Sequence, residues 1–212
     1  MPATSPQPEG LRERNKREKR TRILAAARQL FEQKGFEATT AREICRRARI
    51  GTGTLFLYVR DKRELLFLLF RDEARGRFRS GMARAETQSS LPEALLCLFG
   101  EFIDFYARNP SLSKTIVEEL FQRPQDPESM GALTAEYLEC VETLLAPARA
   151  RGELRDDVAA EDQVSAFFAH YSFWVQAWLG LGLRTRDQAE AGLRRAIELQ
   201  IEGLAATKAV AR

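Results

Sequence analysis

Two short helical patterns joined by a tight turn occupy residues 39–62, and they constrain the chain more than any other feature. Thr40 is a favourable residue just before a helix, and Glu43, three residues on, completes a capping box. A turn that contains Gly51 separates this helix from a second predicted helix, Thr52–Tyr58. Two helices joined by such a turn are typical of a helix-turn-helix, whose second helix can enter the major groove of DNA.

The residue types in this stretch suit contact with nucleic acid. Threonine and tyrosine hydroxyls and cationic side chains can bind phosphates, while Leu57 and the threonine methyl groups can contact thymine methyls. Shape alone does not establish this function. By shape alone, an ordinary corner between two helices of a bundle is the favoured interpretation.

Many positions between residues 21 and 66 agree with one known pattern at fixed spacing. They are Arg22-Ile23-Leu24-x-Ala26-Ala27-x-x-Leu30-Phe31-x-x-x-Gly35-Phe36, Thr39-Thr40-x-x-Glu43-Ile44, Gly53-Thr54-Leu55-Phe56-x-Tyr58-Val59 and Lys62-x-x-Leu65-Leu66. Through these positions the chain resembles the tetracycline-repressor (TetR) family of one-component regulators. The resemblance implies a DNA-binding head, a helical effector-binding body and a homodimer.

Three positions depart from the family pattern. Arg49 stands where the family usually has glycine, and Gly51 stands where a serine or similar residue usually opens the recognition helix. Phe56 replaces a tyrosine that commonly binds phosphate, so that contact lacks its hydroxyl and Arg49 can supply charge instead. The resemblance further implies that Lys62 holds a phosphate and that the helix it begins links the body to the head.

The candidate DNA-binding residues combine the motif with the resemblance. They are Thr39, Thr40, Arg42, Arg49, Thr52, Gly53, Thr54, Leu57, Tyr58 and Lys62. The expected partner is a palindromic double-stranded DNA operator, because each chain of a two-fold dimer would read one half-site.

The charge distribution supports a basic head on an acidic body. Residues 11–63 contain 16 Lys and Arg against 6 Asp and Glu, a net charge of +10, although the whole chain carries only +3. Residues 64–212 carry a net charge of −6. This asymmetry is typical of a nucleic-acid-binding segment joined to a separate regulatory body.

Hydrophobic periodicity predicts an all-α fold of about nine helices. We expect a flexible basic N-terminal extension over residues 1–16, a helix-turn-helix domain over 17–62, and a ligand-binding and dimerisation domain over 63–212. The cations of residues 11–22 have two interpretations: a solvated first turn of a long helix, or an arm that contacts DNA.

The chain has no predicted membrane segment or signal peptide. Its longest nearly apolar stretch, Tyr171 to Leu183, is too short to span a bilayer. The three cysteines, Cys45, Cys97 and Cys140, are widely spaced and are best explained as free thiols. We therefore expect a cytoplasmic protein.

The eighth predicted helix, near residues 160–181, is apolar on two faces, and such a helix must be covered on both sides. Its stripe of mostly small residues would let a second helix approach closely. Together with the ninth helix it resembles half of a four-helix bundle formed by two chains. The predicted dimer interface is Ala166, His170, Phe173, Ala177, Leu193, Ile197 and Ile201. A monomer with an additional internal contact is the alternative.

Many aromatic residues lie on the long helices of the body. Core packing explains most of them individually, but a largely apolar cavity with a few polar groups would also fit a small-molecule effector. The candidate pocket residues are Phe102, Phe105, Tyr106, Phe121, Tyr137, Phe168, Tyr171, Trp174 and Trp178.

Enzymatic interpretations find little support in the sequence. His170 is the single histidine, and no cysteine pair or second histidine offers metal-ligand spacing. Neither a nucleophile elbow nor a phosphate-binding glycine loop occurs. We expect no catalytic residue, cofactor or metal. The alternative to a repressor is a helical protein-interaction or adaptor module without sequence-specific DNA binding.

Overall fold

The computed structural model describes residues 10–121 and 127–205, without the side chains of 120, 121 and 127–130. Within these residues the structure contains nine α-helices and no strand, which confirms the predicted all-α fold. The helices are Leu11–Lys34 (α1), Ala41–Ala48 (α2), Thr52–Leu55 (α3), Lys62–Ala85 (α4), Leu91–Arg108 (α5), Pro110–Ile116 (α6), Pro127–Ala150 (α7), Ala160–Val175 (α8) and Arg186–Leu204 (α9).

Two π-helical segments extend the helices of the body. Val117–Phe121 directly continues α6, and Gln176–Gly180 directly continues α8. The bond from the Leu181 N–H to the Gln176 carbonyl, at 2.8 Å, has the five-residue spacing of this geometry. Both α6 and α8 are therefore followed directly by a π-helical turn.

The described residues divide into two compact units, with the boundary between Phe70 and Arg71. The boundary falls inside α4, so this helix contributes residues to both units. The first unit contains the helix-turn-helix, and the second contains α5 to α9.

In the first unit, α1 begins six residues before its predicted start at Arg17. Charged residues that favour helices explain the extension, and Arg14 pairs with Glu18 one turn away at 3.3 Å. Residues 11–16 are therefore helical rather than part of a flexible extension. The whole stretch 11–22 is exposed, and burial begins at Ile23.

The core of the first unit is built from the apolar stripe of α1 and the inward faces of α2 to α4. The rings of Phe31 and Phe36 lie 5.3 Å apart, which closes the end of α1 over this core. The buried apolar residues are Ile23, Ala26, Ala27, Leu30, Phe31, Phe36, Ile44, Cys45, Ala48, Leu55, Val59, Leu65, Leu66, Phe67, Leu68 and Phe70.

In the second unit, α5 packs against α7 and α9, and α8 packs against the same two helices. A partly buried ion-pair cluster joins α4 to α5: the Glu101 carboxylate accepts from Arg84 at 2.8 Å and from Arg77 at 3.3 Å. Burial alone would raise the pKa of Glu101, but hydrogen bonds from Arg84, Ser80 and Arg77 bring it below its ordinary value. The carboxylate therefore stays charged although it is buried.

Close helix contact in the second unit depends on Gly192 of α9. A methyl group at this position would overlap the six-membered ring of Trp174 on α8. The small residue therefore lets the Trp174 ring lie flat against the backbone of α9. No helix of the described residues is both long enough and apolar enough to cross a membrane.

The substitution Gly192→Ala should lower the free energy of unfolding by about 1–3 kcal/mol, because the added methyl group overpacks the Trp174 contact. Gly203→Ala on the same helix is the matched control. A methyl group at position 203 would meet no other atom within 4 Å, so alanine's higher helix propensity should leave stability unchanged or raise it. Urea unfolding of the two variants measures the difference. Equal stabilities would contradict this packing.

Candidate nucleic-acid interface and aromatic core

The predicted capping box at the start of α2 is present. Thr40 accepts from the Glu43 N–H at 3.3 Å, and the Glu43 carboxylate accepts from the Thr40 N–H at 2.9 Å. Lys34 of α1 adds an ion pair to the same carboxylate at 2.6 Å. These contacts fix α2 against α1 and so set the position of the turn that follows.

Hydrogen bonds at the carboxylate keep Glu43 ionised. The bond from Lys34, followed by those from Thr40, lowers the pKa of Glu43 from 4.5 to about 2. The Thr40 hydroxyl, a predicted phosphate contact, lies 2.7 Å from this carboxylate and takes part in the cap. Thr40 is exposed, so its hydroxyl is accessible as well as structural.

Arg49 adopts a backbone conformation that glycine normally takes. Its φ of 55° and ψ of 52° lie in the left-handed region, where it ends α2. This is the position at which the resemblance led us to expect glycine, and an L-residue is strained there. The side chain of Arg49 is exposed and lies close in sequence to the predicted recognition helix, where it was predicted to contact DNA.

The recognition helix is shorter than predicted. Only Thr52–Leu55 is α-helical, and Leu57 and Tyr58 donate to carbonyls three residues back, at 3.2 and 2.9 Å. Gly53 and the β-branched threonines have low helix propensity, which accounts for this tighter turn. The predicted helix Thr52–Tyr58 is therefore a single turn of α-helix, Thr52–Leu55, followed by tighter, three-residue-spaced bonds. We call residues 52–58 the recognition segment.

The recognition segment buries one side and exposes the other. Leu55 is buried in the core of the first unit, whereas Leu57 is 81% exposed and Phe56 is 54% exposed. Thr52 and Gly53 are exposed, and Thr54 and Tyr58 are half-buried. Phe56 and Leu57 are thus adjacent exposed apolar side chains within a basic segment of the chain.

Two predicted DNA-binding residues have structural contacts instead of a free surface. Thr39 is buried, and its hydroxyl donates to the Gly35 carbonyl at 2.7 Å, so its assignment as a DNA contact is wrong. The Lys62 ammonium donates to the Phe36 carbonyl at 2.8 Å and lies 4.1 Å from the centre of the Phe36 ring. A phosphate contact by Lys62 would compete with both interactions.

Four of the aromatic residues predicted to line a pocket form a connected cluster in the second unit: Phe102, Tyr137, Phe168 and Tyr171. Tyr137 of α7 lies at its centre, and its ring contacts five others. The distances between ring centres are 5.4 Å to Phe78, 5.9 Å to Phe99, 5.1 Å to Phe102, 5.4 Å to Phe168 and 5.2 Å to Tyr171. Phe78 and Phe99 were not among the predicted pocket residues, although Phe99 stands one turn from Phe102 on α5.

Three buried tyrosine hydroxyls belong to this aromatic core. Tyr171 donates to Tyr106 at 3.4 Å, and Tyr106 is 1% exposed. Burial raises the pKa of Tyr106 to about 12, and burial also raises the pKa values of Tyr137 and Tyr171 well above 10. All three groups therefore stay neutral, and each can donate a hydrogen bond.

Other predicted pocket residues lie elsewhere. Trp174 packs on Gly192 of α9 and on Phe173, at 5.1 Å between ring centres. Phe105 contacts Tyr106 at 5.3 Å, and Trp178 is half-buried. The side chain of Phe121 lies outside the described residues.

A separate surface groove of about 480 Å³ lies between α5 and α9. Its lining is aliphatic and charged, and the Arg186 and Asp104 side chains pair within it at 2.5 Å. The predicted pocket aromatics are not among its lining residues.

The predicted dimer interface is partly wrong. Ala177, Leu193 and Ile197 are buried inside the chain, so they cannot contact a second subunit. Phe173 is 61% exposed, whereas Ala166, His170 and Ile201 are half-buried.

The exposed side of α8 and α9 includes Leu199, which was not predicted, and Ala169, which belongs to the predicted small-residue stripe of α8. Between the two helices, His170 Nε2 and Gln200 Oε1 lie 3.3 Å apart. The exposed faces of α8 and α9 are therefore rotated about the helix axes relative to the faces that the sequence predicted for the dimer interface.

The cysteines have no disulfide partner within the described chain. Cys45 is buried, and Cys97 and Cys140 are half-buried. Burial raises the pKa of Cys45 more than a hydrogen bond with Thr52 lowers it. The described residues contain no cluster of three or more His, Cys, Asp or Glu side chains that could hold a metal ion.

Comparison with known proteins gives consistent matches. Residues 23–69 match the family described as bacterial regulatory proteins, tetR family. The HTH-type transcriptional regulator YvkB of Bacillus subtilis (strain 168) is 31% identical over 127 residues, which span 55% of this chain and 64% of that protein. The HTH-type transcriptional regulator UidR of Escherichia coli (strain K12) is 28% identical over 68% of this chain and 83% of its own length.

A solved structure is similar over nearly the whole chain. It is that of Thermus thermophilus FadR, a TetR family transcriptional repressor in complex with lauroyl-CoA. The two proteins are 27% identical, with a TM-score of 0.71, and the match covers 91% of this chain and 98% of the other.

The substitution Arg49→Gly should stabilise the head, because glycine adopts the left-handed conformation without the cost of a Cβ atom. Arg49→Ala is the control, since it removes the same charge but keeps the strain. We expect the glycine variant to exceed the alanine variant by about 1 kcal/mol in the free energy of unfolding. Urea unfolding compares them, and equal values would show that position 49 is not strained.

The ionised Glu43 should stabilise the head in a pH-dependent way. Because its folded pKa is depressed, its contribution is complete above the ordinary value of 4.5 and is lost as the pH falls toward 2. The melting temperature of Glu43→Gln should therefore lie below that of the parent at pH 7 and approach it near pH 2. The exposed Glu32→Gln on α1 is the matched control. A pH-independent difference for Glu43→Gln would contradict the ion pair.

Proposed function

Because the chain belongs to the tetR family of bacterial regulatory proteins, whose members are ligand-responsive DNA-binding regulators, we propose that it is a homodimeric repressor. A small, mostly apolar effector releases it from a palindromic operator. The proposal places the protein in the cytoplasm, with the DNA it regulates, and assigns it no catalytic step.

The DNA-binding part of the proposal rests on one observation: Leu57 is exposed within a strongly basic head. Residues 11–63 have a net charge of +10, which favours association with the phosphate backbone. Leu57, at 81% exposure, can contact a thymine methyl in the major groove. Arg42, in the first turn of α2, and Arg49, just after its end, are both exposed and suit phosphate contacts.

The homodimer is proposed through α8 and α9. Phe173 and Leu199 are 61% and 67% exposed, and Ala169 beside them is small enough for close helix approach. A two-fold axis would bring the same surface of each chain together, so that each residue is used twice. The two heads would then read two half-sites related by the same axis.

The effector is proposed to be an acyl thioester. Lauroyl-CoA is bound by the Thermus thermophilus regulator, which is 27% identical to this chain. The aromatic core between α4, α5, α7 and α8 supplies an apolar environment for a hydrocarbon chain. An effector that binds the DNA-incompetent state 100-fold better contributes about 2.7 kcal/mol toward release, which is enough for a switch.

Selection of bound duplexes from a random-sequence pool tests this function. The expected product is an inverted repeat with two half-sites about one helical turn apart or a multiple of it. Binding of all duplexes without preference would favour the adaptor alternative and contradict the proposal.

The substitution Leu57→Ala should relax the base preference at one base pair in each half-site by about 1 kcal/mol, or about fivefold. Leu183→Ala, which truncates a leucine 65% exposed outside the head, is the matched control and should leave the preference unchanged. Competition binding against the selected duplex and its single-base variants measures the effect. An unchanged preference in Leu57→Ala would remove Leu57 from the interface.

A further inference from the structure

The first half of α1 is a helical extension that the core of the first unit does not cover. Every residue from Leu11 to Arg22 is exposed, and burial begins at Ile23. At 1.5 Å per residue, this exposed part of the helix is about 18 Å long. It carries seven Lys and Arg residues against two Glu, so it is strongly cationic even for the basic head.

Four of these cations lie on one face of the extension, within an arc of about 100° at 3.6 residues per turn. We call them the cationic stripe: Arg12, Lys16, Lys19 and Arg20. Three of the four nearest positions to Lys16 on the helix surface are cationic, namely 12, 19 and 20. Like charges at this spacing destabilise a helix, so the stripe costs stability unless an anion approaches it.

The cationic stripe continues the buried face of α1. Ile23, Ala27 and Leu30 follow Lys19 at steps of four, four and three residues, which keeps them on one side of the helix. That side packs on the core of the head. The stripe is therefore aligned with the packed side of α1 and not with its solvent side.

α2 runs back along α1 toward this extension. Near the end of α1, Lys34 pairs with Glu43 at 2.6 Å, whereas Gln29, earlier on α1, accepts from Arg47 at 3.1 Å. The partner residues thus step backward along α1 as the chain advances along α2. The recognition segment, which follows α2, therefore begins toward the end of α1 from which the extension projects.

We propose that the cationic stripe binds the phosphate backbone of the DNA that flanks each half-site. This inference rests on the operator binding of the proposed function and adds a contact outside the recognition segment. The stripe spans about 12 Å of helix, and a DNA strand carries one negative charge per about 3.4 Å, so the two are complementary in charge and length. Because phosphates carry no sequence information, the stripe adds affinity without changing the base preference.

The double substitution Lys16→Gln and Lys19→Gln tests this contact on the full chain. It removes two phosphate contacts from each subunit of the dimer, and each contact contributes about 0.9 to the slope of log affinity against log salt concentration. The magnitude of that slope for the selected operator should therefore fall by about 3 to 4. The preference for this operator over its single-base variants should stay the same.

The matched control is the double substitution Arg14→Gln and Arg17→Gln. It removes the same charge at the same three-residue spacing, but from the side of the helix that faces away from the stripe. The control should nearly keep the parent slope. Since all four substituted side chains are exposed, neither double variant should change the melting temperature.

Hydroxyl-radical footprinting of the selected operator locates the contact. The parent and the control should protect the backbone next to each half-site as well as within it. The Lys16→Gln and Lys19→Gln variant should protect only the half-sites, because its extension no longer holds the flanking phosphates.

The unfavourable outcomes are distinct. An unchanged slope in the Lys16→Gln and Lys19→Gln variant, on an operator that the parent selects, would overturn the flanking contact and leave the proposed function in place. Equal losses in both double variants would also overturn it, because general positive charge would then explain the affinity. So would a lower melting temperature of the stripe variant, which would give these lysines a role in folding. A parent that selects no operator would overturn the proposed function, and the flanking contact with it.

Discussion

The continuous helix α4 is the constraint on which the rest of the account depends. It begins at Lys62, whose ammonium is fixed on the Phe36 carbonyl at 2.8 Å, and its later turns carry Phe78 into the aromatic core. The same turns are held by the buried Glu101, which pairs with Arg77 and Arg84. The proposal requires that a displacement of Phe78 by the effector reach the first turn of α4, which belongs to the first unit.

One group of this protein departs from what stability alone would favour, and it lies at a proposed binding site. Arg49 holds a left-handed conformation beside the recognition segment. Local strain of this kind concentrates at functional sites. The position of Arg49 therefore fits the DNA contact of the proposal.

Features that depend on neighbouring residues could be predicted from the sequence. The capping box of Thr40 and Glu43 requires only their three-residue spacing, and the structure contains it. The resemblance to the TetR family is confirmed, as is the all-α fold. The capping box and the family resemblance depend on residues within short stretches of the chain. The all-α fold follows from a strong periodic pattern of apolar residues.

Features that depend on how helices rotate against one another could not be predicted. The faces of α8 and α9 were assigned from periodicity, which did not reveal that Trp174 packs on Gly192, that Ile197 is buried or that Leu199 is exposed. The inward role of Thr39 likewise depends on the carbonyl of Gly35 at the end of α1. No periodicity distinguishes a hydroxyl that faces a carbonyl from one that faces solvent.

The most direct test of the account measures the affinity for the selected operator with and without saturating lauroyl-CoA, at one fixed salt concentration. Coupling through α4 predicts that lauroyl-CoA weakens operator binding by a factor of about 5 to 150, the usual range of allosteric coupling. An operator affinity that stays the same while lauroyl-CoA is bound would contradict the account.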